Sequence, residues 1–227
     1  MSSLAQRMIT ACLLASGFLL VLFMLPAIAI VTVVTLGILL GAWEWSAFLG
    51  LSSVLRRSIY VAVLAALTLG LWQITDYDRM FSILMLAALG WWVFALGTIR
   101  RYPVAIGPAL AGIGGMLTLL PLWYGIIFII NELEEGPKVL FLVLLVVAAA
   151  DIGAFFVGRS LGRRKLAPAV SPGKTVEGLC GGLLAATGAA SVGVFLLNWP
   201  LSSLVVLGLG VGVISAVGDL TVSMFKR

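Results

Sequence analysis

Residues 151–178, DIGAFFVGRSLGRRKLAPAVSPGKTVEG, gather side chains suited to binding phosphate and a metal ion. Asp151 stands inside an apolar segment, and the loop after it carries Arg159, Arg163, Arg164, Lys165 and Lys174, with Glu177 as its one acid. A buried acid beside a basic loop can hold a divalent cation together with the phosphates that the cation neutralises. Near the end of the chain, Asp219 is followed by Ser223, Lys226 and Arg227. These two stretches are expected to form one face of a nucleotide-phosphate site at a membrane surface. The chain has no histidine. That removes the usual general base, a common zinc ligand and the usual pH switch.

The SPGKT of Ser171–Thr175 invites comparison with a phosphate-binding P-loop. A P-loop requires a glycine five residues before the Gly-Lys glycine, and that position is Pro168. The surrounding sequence is that of a membrane helix, so a P-loop is excluded. The segment still suits an anion. Pro168 and Pro172 stiffen it, and Gly173 permits close backbone approach. Lys174 offers a point charge, and the helix expected after Thr175 presents free amides at its N-terminus.

These groups need a scaffold, and the composition specifies its class. The 227 residues are 62% hydrophobic and 10% charged, against about 45–50% and 25% in soluble domains. Helices are expected, because open strands cannot satisfy their backbone in lipid and no barrel alternation is present. Spans of ~20 residues are expected at 8–25, 27–43, 58–75, 80–99, 104–130, 139–158, 176–197 and 201–225. The fifth is expected to be interrupted at Pro108 and Pro121, and Trp43 and Trp45 to sit in an interfacial belt. Met8–Leu25 ends without a small-residue cleavage site and is read as a retained helix rather than a signal peptide. Cys12 and Cys180 lie in apolar runs and are read as structural thiols.

The predicted fold is an all-α, polytopic integral membrane bundle of about eight transmembrane helices with both termini cytoplasmic. It forms a single domain, residues 1–227. Residues 1–138 supply N-terminal helices, and residues 139–227 supply catalytic-type helices with a cytoplasmic loop at 159–175. This arrangement places 12 of the 14 Lys and Arg inside, with Arg79 and Lys138 outside, as the positive-inside rule requires. Asp151 and Asp219 then fall in the inner halves of their spans. An ionisable residue there costs ~2.5–3.5 kcal/mol on insertion scales and usually faces a cavity or partner. Gly208, Gly212, Ser215, Asp219, Ser223 and Lys226 share one helical face, and Gly178, Gly182, Ala185, Ala189 and Gly193 form a second small-residue stripe. Such stripes let helices approach closely, and a homodimer could also form on them.

Three blocks carry a family resemblance. They are Asp151-Ile-Gly-Ala-Phe-Phe-Val-Gly-Arg-Ser-Leu-Gly-Arg, Ser171-Pro-Gly-Lys-Thr-Val-Glu-Gly and Gly218-Asp-Leu-Thr-Val-Ser-Met-Phe-Lys-Arg. In order and spacing they resemble the bacterial phosphatidate cytidylyltransferase (CDP-diglyceride synthase) family. The blocks cover residues 151–227, and the earlier spans agree in general character only.

The resemblance implies that CTP and phosphatidic acid give CDP-diacylglycerol and diphosphate, with Mg2+ and possibly a second metal ion. It implies an enzyme of the bacterial inner membrane, among membrane lipids and without a nucleic-acid partner. On this reading Asp219 is a metal ligand, and Asp151 is a second ligand or an orienting group. Lys174, Lys226 and Arg227 bind phosphates, Arg159 lies in the substrate-binding loop, and Ser171, Thr175 and Ser223 donate hydrogen bonds. Glu177 anchors Lys174 or holds the loop.

The family continues beyond this block through a Lys-Asp pair and a glycine-rich segment with histidine and further aspartates. An incomplete metal centre and impaired transfer are therefore expected of a chain ending at Arg227. Two alternative readings use the same residues: an ion-coupled transporter working through Asp151 and Asp219, and a CTP-dependent lipid kinase.

Overall fold

The computed structural model describes residues 3–226; Arg227, and the side chains of Arg7 and Cys12, lie outside the described residues. The order is α1 (Ser3–Met24), α2 (Ala27–Trp45), a 3-10 turn (Ser46–Leu49), α3 (Val54–Trp72), α4 (Tyr77–Arg100), α5 (Pro108–Glu132) and α6 (Gly136–Leu161). There follow β1 (Lys165–Ala167), β2 (Ser171–Thr175), α7 (Val176–Ala190), α8 (Gly193–Leu197) and α9 (Leu201–Phe225). Among the described residues, seven helical segments are long and apolar enough to cross a membrane, and α1 adds the shorter apolar stretch Ala15–Met24. The chain is an all-α polytopic bundle. Large apolar side chains such as Leu86, Phe195 and Val206 point outward. That pattern suits a protein whose surrounding solvent is lipid.

The proline expectation for the fifth span needs correction. Pro108 does not interrupt α5 but starts it, after Gly107. Proline at the first helical position gives up an amide that has no partner anyway. Pro121 lies inside α5, and the helix runs through it to Glu132. Neighbouring helices tolerate such a proline within a membrane bundle.

Trp45 is also corrected. It is not a belt residue but is 7% exposed, and its Nε1 donates to the Ala111 carbonyl at 2.8 Å. Tyr60 does the same to Gly112 at 3.1 Å, and Trp123 donates to Thr35 Oγ1 at 2.8 Å. A buried aromatic with a polar tip needs such a partner. These rings join Leu22, Ile30, Leu64, Tyr124 and Ile127 in one core between α1, α2, α3 and α5.

The C-terminal half packs differently. α6 and α7 make the most extensive contact of any helix pair, and α7 also packs on α9. Small residues permit this. A Cβ on Gly182 would lie 2.8 Å from the Ala150 carbonyl oxygen, and one on Gly212 would lie 2.8 Å from Leu183 Cδ2. The expected stripes are therefore helix contacts within the chain.

The segment expected as a loop at 159–175 contains structure that hydropathy does not signal. β1 and β2 form an antiparallel hairpin, pairing Lys165 with Thr175 and Ala167 with Ser171. Val170 at its turn is 2% exposed and packs with Ile99, Leu220 and Met224. The hairpin is thereby pinned across the ends of α4 and α9. Phe225 reaches the ring of Trp45 at 5.3 Å between centroids, so the ends of α2, α4 and α9 lie together. Arg56, Arg57, Arg100, Arg101, the hairpin cations and Lys226 accordingly gather at one end of the bundle.

Candidate active site between α6, α7 and α9

A cavity of about 630 Å³ opens where α6, β2, α7 and α9 meet. Asp151 and Arg159 reach it from α6, Lys174 and Thr175 from β2, and Ser215 and Asp219 from α9. Residues far apart in sequence thus share one wall. Phe155, Leu166 and Leu179 give the cavity an apolar flank beside these charges.

Neither aspartate is buried within the protein, as the reading of a buried acid would have it. Asp151 is exposed, and the side chain of Asp219 is 64% exposed. The helix register explains this, because both acids point into an open cavity and not into the packed seams lined by glycine.

The two carboxylates have different partners. Asp219 forms an ion pair with Lys174. Asp151 accepts a hydrogen bond from Ser215 Oγ at 3.2 Å. Among the described residues it has no ion-pair partner.

Glu177 holds the loop and does not anchor Lys174. Its Oε2 accepts from the backbone amides of Arg163 and Arg164 at 3.0 and 3.1 Å. The Val176 amide donates to the Arg164 carbonyl at 2.9 Å, closing the base of the hairpin. Thr175 is the N-cap of α7, its Oγ1 accepting from the Gly178 amide at 3.1 Å. This cap satisfies one of the free amides at the helix start. The hydroxyl keeps its own proton, and the residue faces the cavity.

Other expected site residues stand apart. Ser171 lies on β2 and Ser223 on α9, and neither lines the cavity. Ser223 Oγ donates to its own helix, to the Asp219 carbonyl at 2.7 Å, so its single proton is already used. Lys226 is exposed at the C-cap of α9, also off the cavity wall. Arg227 is outside the described residues. Ser215 is the addition. The helical spacing to Asp219 signalled its face, but its contact with Asp151 depends on the register of α6 against α9.

The donor set suits a hard cation. The cavity offers carboxylate, hydroxyl and carbonyl oxygens, with no imidazole or thiolate on its wall. Among the described residues no three His, Cys, Asp or Glu side chains cluster as a closed metal cage. Mg2+ commonly binds through one or two carboxylates, completing its shell with water and substrate phosphates. The site fits that mode.

Comparison with known proteins agrees with the geometry. Residues 5–227 match the model of the cytidylyltransferase family. The phosphatidate cytidylyltransferase of Pseudomonas aeruginosa is 36% identical over 99% of this chain and 84% of its own length. That of Haemophilus influenzae is 32% identical over 99% of this chain and 86% of its own length. That of Bacillus subtilis is 37% identical over 50% of this chain and 45% of its own. These matches lend no support to the transporter and lipid-kinase alternatives, or to the expectation of an impaired short chain. With the match running across the helices that build the cavity as well as the loop that closes it, the chain belongs to the cytidylyltransferase family.

Proposed function

We propose that this protein is a phosphatidate cytidylyltransferase of the bacterial inner membrane, converting CTP and phosphatidate to CDP-diacylglycerol and diphosphate. The observation that carries this reading is the convergence of Asp151, Asp219, Lys174 and Arg159 on one cavity at the basic end of a membrane bundle. The names and coverage of the relatives support it.

The chemistry asks little of a general base. A phosphate monoester has a second pKa near ~6, so at pH 7 the phosphatidate headgroup is largely a dianion. One of its oxygens attacks the α-phosphorus of CTP while the bond to the diphosphate oxygen breaks. What the step needs is alignment and neutralisation of charge. Lys174 and Arg159 supply positive charge on the cavity wall, and Thr175 keeps a hydroxyl proton for a phosphate oxygen. Phe155, Leu166 and Leu179 offer an apolar flank to the glycerolipid. Glu177 fastens the base of the hairpin whose second strand carries Lys174. Mg2+ bound at Asp219 and Asp151 would neutralise triphosphate charge and polarise the reacting phosphoryl group. Lys226 adds positive charge at the C-cap of α9.

The test uses the purified 227-residue chain in lipid–detergent micelles with CTP, phosphatidate and Mg2+. Formation of CDP-diacylglycerol and diphosphate, abolished by chelation and restored by Mg2+, is expected. Release of CDP with a phosphorylated lipid would replace this reading with a lipid kinase, and absence of any nucleotide turnover would overturn it.

A further inference from the structure

Hydroxyls in membrane helices usually find a partner on their own backbone, because the carbonyl one turn back is the nearest acceptor. This chain follows that habit. Thr32, Thr35, Ser82, Thr98, Thr118, Ser160, Thr187, Thr221 and Ser223 each donate to the carbonyl four residues earlier. Ser215 departs from it. Its Oγ donates instead to Asp151 Oδ1 on α6, at 3.2 Å. The geometry that allows this is built into α9. Gly208 and Gly212 bring that helix against α7, where a Cβ at either position would meet Thr187 or Leu183. One turn further along, Ser215 and then Asp219 face the cavity that α6 also lines.

The partners of the two acids differ in a way that matters for a cation. Lys174 cancels the charge of Asp219. Ser215 is neutral, so it orients Asp151 without cancelling its charge. A hydroxyl bond to one oxygen leaves the other carboxylate oxygen with its acceptor capacity.

We propose that Ser215 is a positioning residue, whose hydroxyl ties α9 to α6 and aims the Asp151 carboxylate into the cavity for a divalent cation. This rests on reading the cavity as the metal-dependent cytidylyl-transfer site, and the test separates the two. Outer-sphere groups that orient a ligating carboxylate commonly control metal affinity without touching the metal.

The probe is Mn2+, measured by loss of its free paramagnetic signal on titration into the full chain in nanodiscs, with and without CTP. Ser215→Ala weakens Mn2+ binding about ten- to a hundredfold, the range for losing an outer-sphere partner of a ligating carboxylate. Ser215→Thr, which keeps the hydroxyl, stays within about twofold of the wild type. In an Asp151→Asn background, Ser215→Ala adds less than ~twofold, because both changes remove the same interaction. A purely structural serine would lower the melting temperature in either background and leave Mn2+ affinity alone. Should Ser215→Ala not fold, Ser215→Cys takes its place, filling the space with a weak donor. Wild-type Mn2+ affinity in the folded Ala or Cys variant overturns the proposal, as does a wild-type protein that binds no Mn2+. A wild type that binds Mn2+ yet makes no CDP-diacylglycerol would overturn the functional reading alone.

Discussion

Lys174 on the hairpin and Asp219 on the last helix meet in an ion pair at the wall of the cavity. The Asp219 side chain is 64% exposed and that of Lys174 25%. Ion pairs this open contribute at most about 1 kcal/mol to stability. The pair therefore has more to do with the site than with holding the fold. On the proposed function the two residues meet ligands of opposite charge. Lys174→Met should raise KM for CTP about ten- to a hundredfold, as expected for a lost charge-assisted contact. Asp219→Asn should lower kcat by about 100-fold or more, in the range for losing a ligand of the cation that would stabilise transition-state charge. Melting temperatures should barely move in either case. Exchanging the two charges, Lys174→Asp with Asp219→Lys, should restore the ion pair without restoring turnover. Recovery of activity in that swap would mean that the pair is only structural.

Glu177 makes a separable prediction because it touches backbone rather than ligand. Its carboxylate accepts two amides, from Arg163 and Arg164, at the base of the hairpin. Glu177→Ala leaves those amides without that acceptor and frees the strand that carries Lys174. Tryptic cleavage after Arg163 and Arg164 should accelerate several-fold, and KM for CTP should rise. Glu177→Gln retains an acceptor oxygen and should show roughly half of the effect, by the smaller loss on going from a charged to a neutral hydrogen bond. Unchanged cleavage in Glu177→Ala would remove the hairpin-fastening role.

The apolar helices were legible because lipid demands long apolar runs. The candidate site drew notice where chemistry conflicts with lipid, since Asp151 and Asp219 are costly in a span, and both line the cavity. Long-range register was not legible. Trp45 sits beside Trp43 and Glu44 and reads as an interface residue, yet its partner is the Ala111 carbonyl on α5. Local sequence holds no trace of that carbonyl. The hairpin escaped notice because β1 has three residues and β2 five, with Pro172 and Gly173 inside β2. Neither strand is long enough to show alternation, and what holds them is the burial of Val170 against α4 and α9. Ser223 and Ser215 share one helical face, and Ser223 was the one expected to donate to a ligand. Only the crossing of α6 distinguishes them, giving Ser215 an acid to bind and leaving Ser223 its own backbone.

Two glycines of α7 should respond in opposite ways to added side chains. A Cβ at Gly182 would lie 2.8 Å from the Ala150 oxygen and 3.1 Å from the Ala154 Cβ, next to Asp151. At Gly188 nothing lies within 4 Å. Gly182→Val should therefore force α6 and α7 apart, costing about 1–3 kcal/mol by overpacking and displacing Asp151 from the cavity. Gly188→Ala should be neutral or should stabilise the helix by up to about 1 kcal/mol. Thermal unfolding in detergent, with Mn2+ titration of each variant, checks both. Equal effects at the two positions would show that close approach of α6 and α7 does not set the site.

Val170 tests whether the hairpin works as a mounted arm. It is 2% exposed and packs on Ile99, Leu220 and Met224. It touches no proposed ligand. Val170→Ala removes two methyl groups from that contact, about 1.5 kcal/mol by the transfer value per carbon, and more if the space stays empty. Val170 reaches this cluster from the hairpin, so the hairpin's attachment should suffer first, with the global melting temperature falling by no more than about 3–6 °C. The strand carrying Lys174 should instead detach more often, which weakens CTP binding while leaving Mn2+ binding without nucleotide unchanged. Val170→Ile, which refills the space, should restore CTP affinity. Loss of Mn2+ affinity in Val170→Ala would mean that the hairpin shapes the acidic wall as well, contrary to the division of work between Lys174 and Ser215 drawn from their contacts.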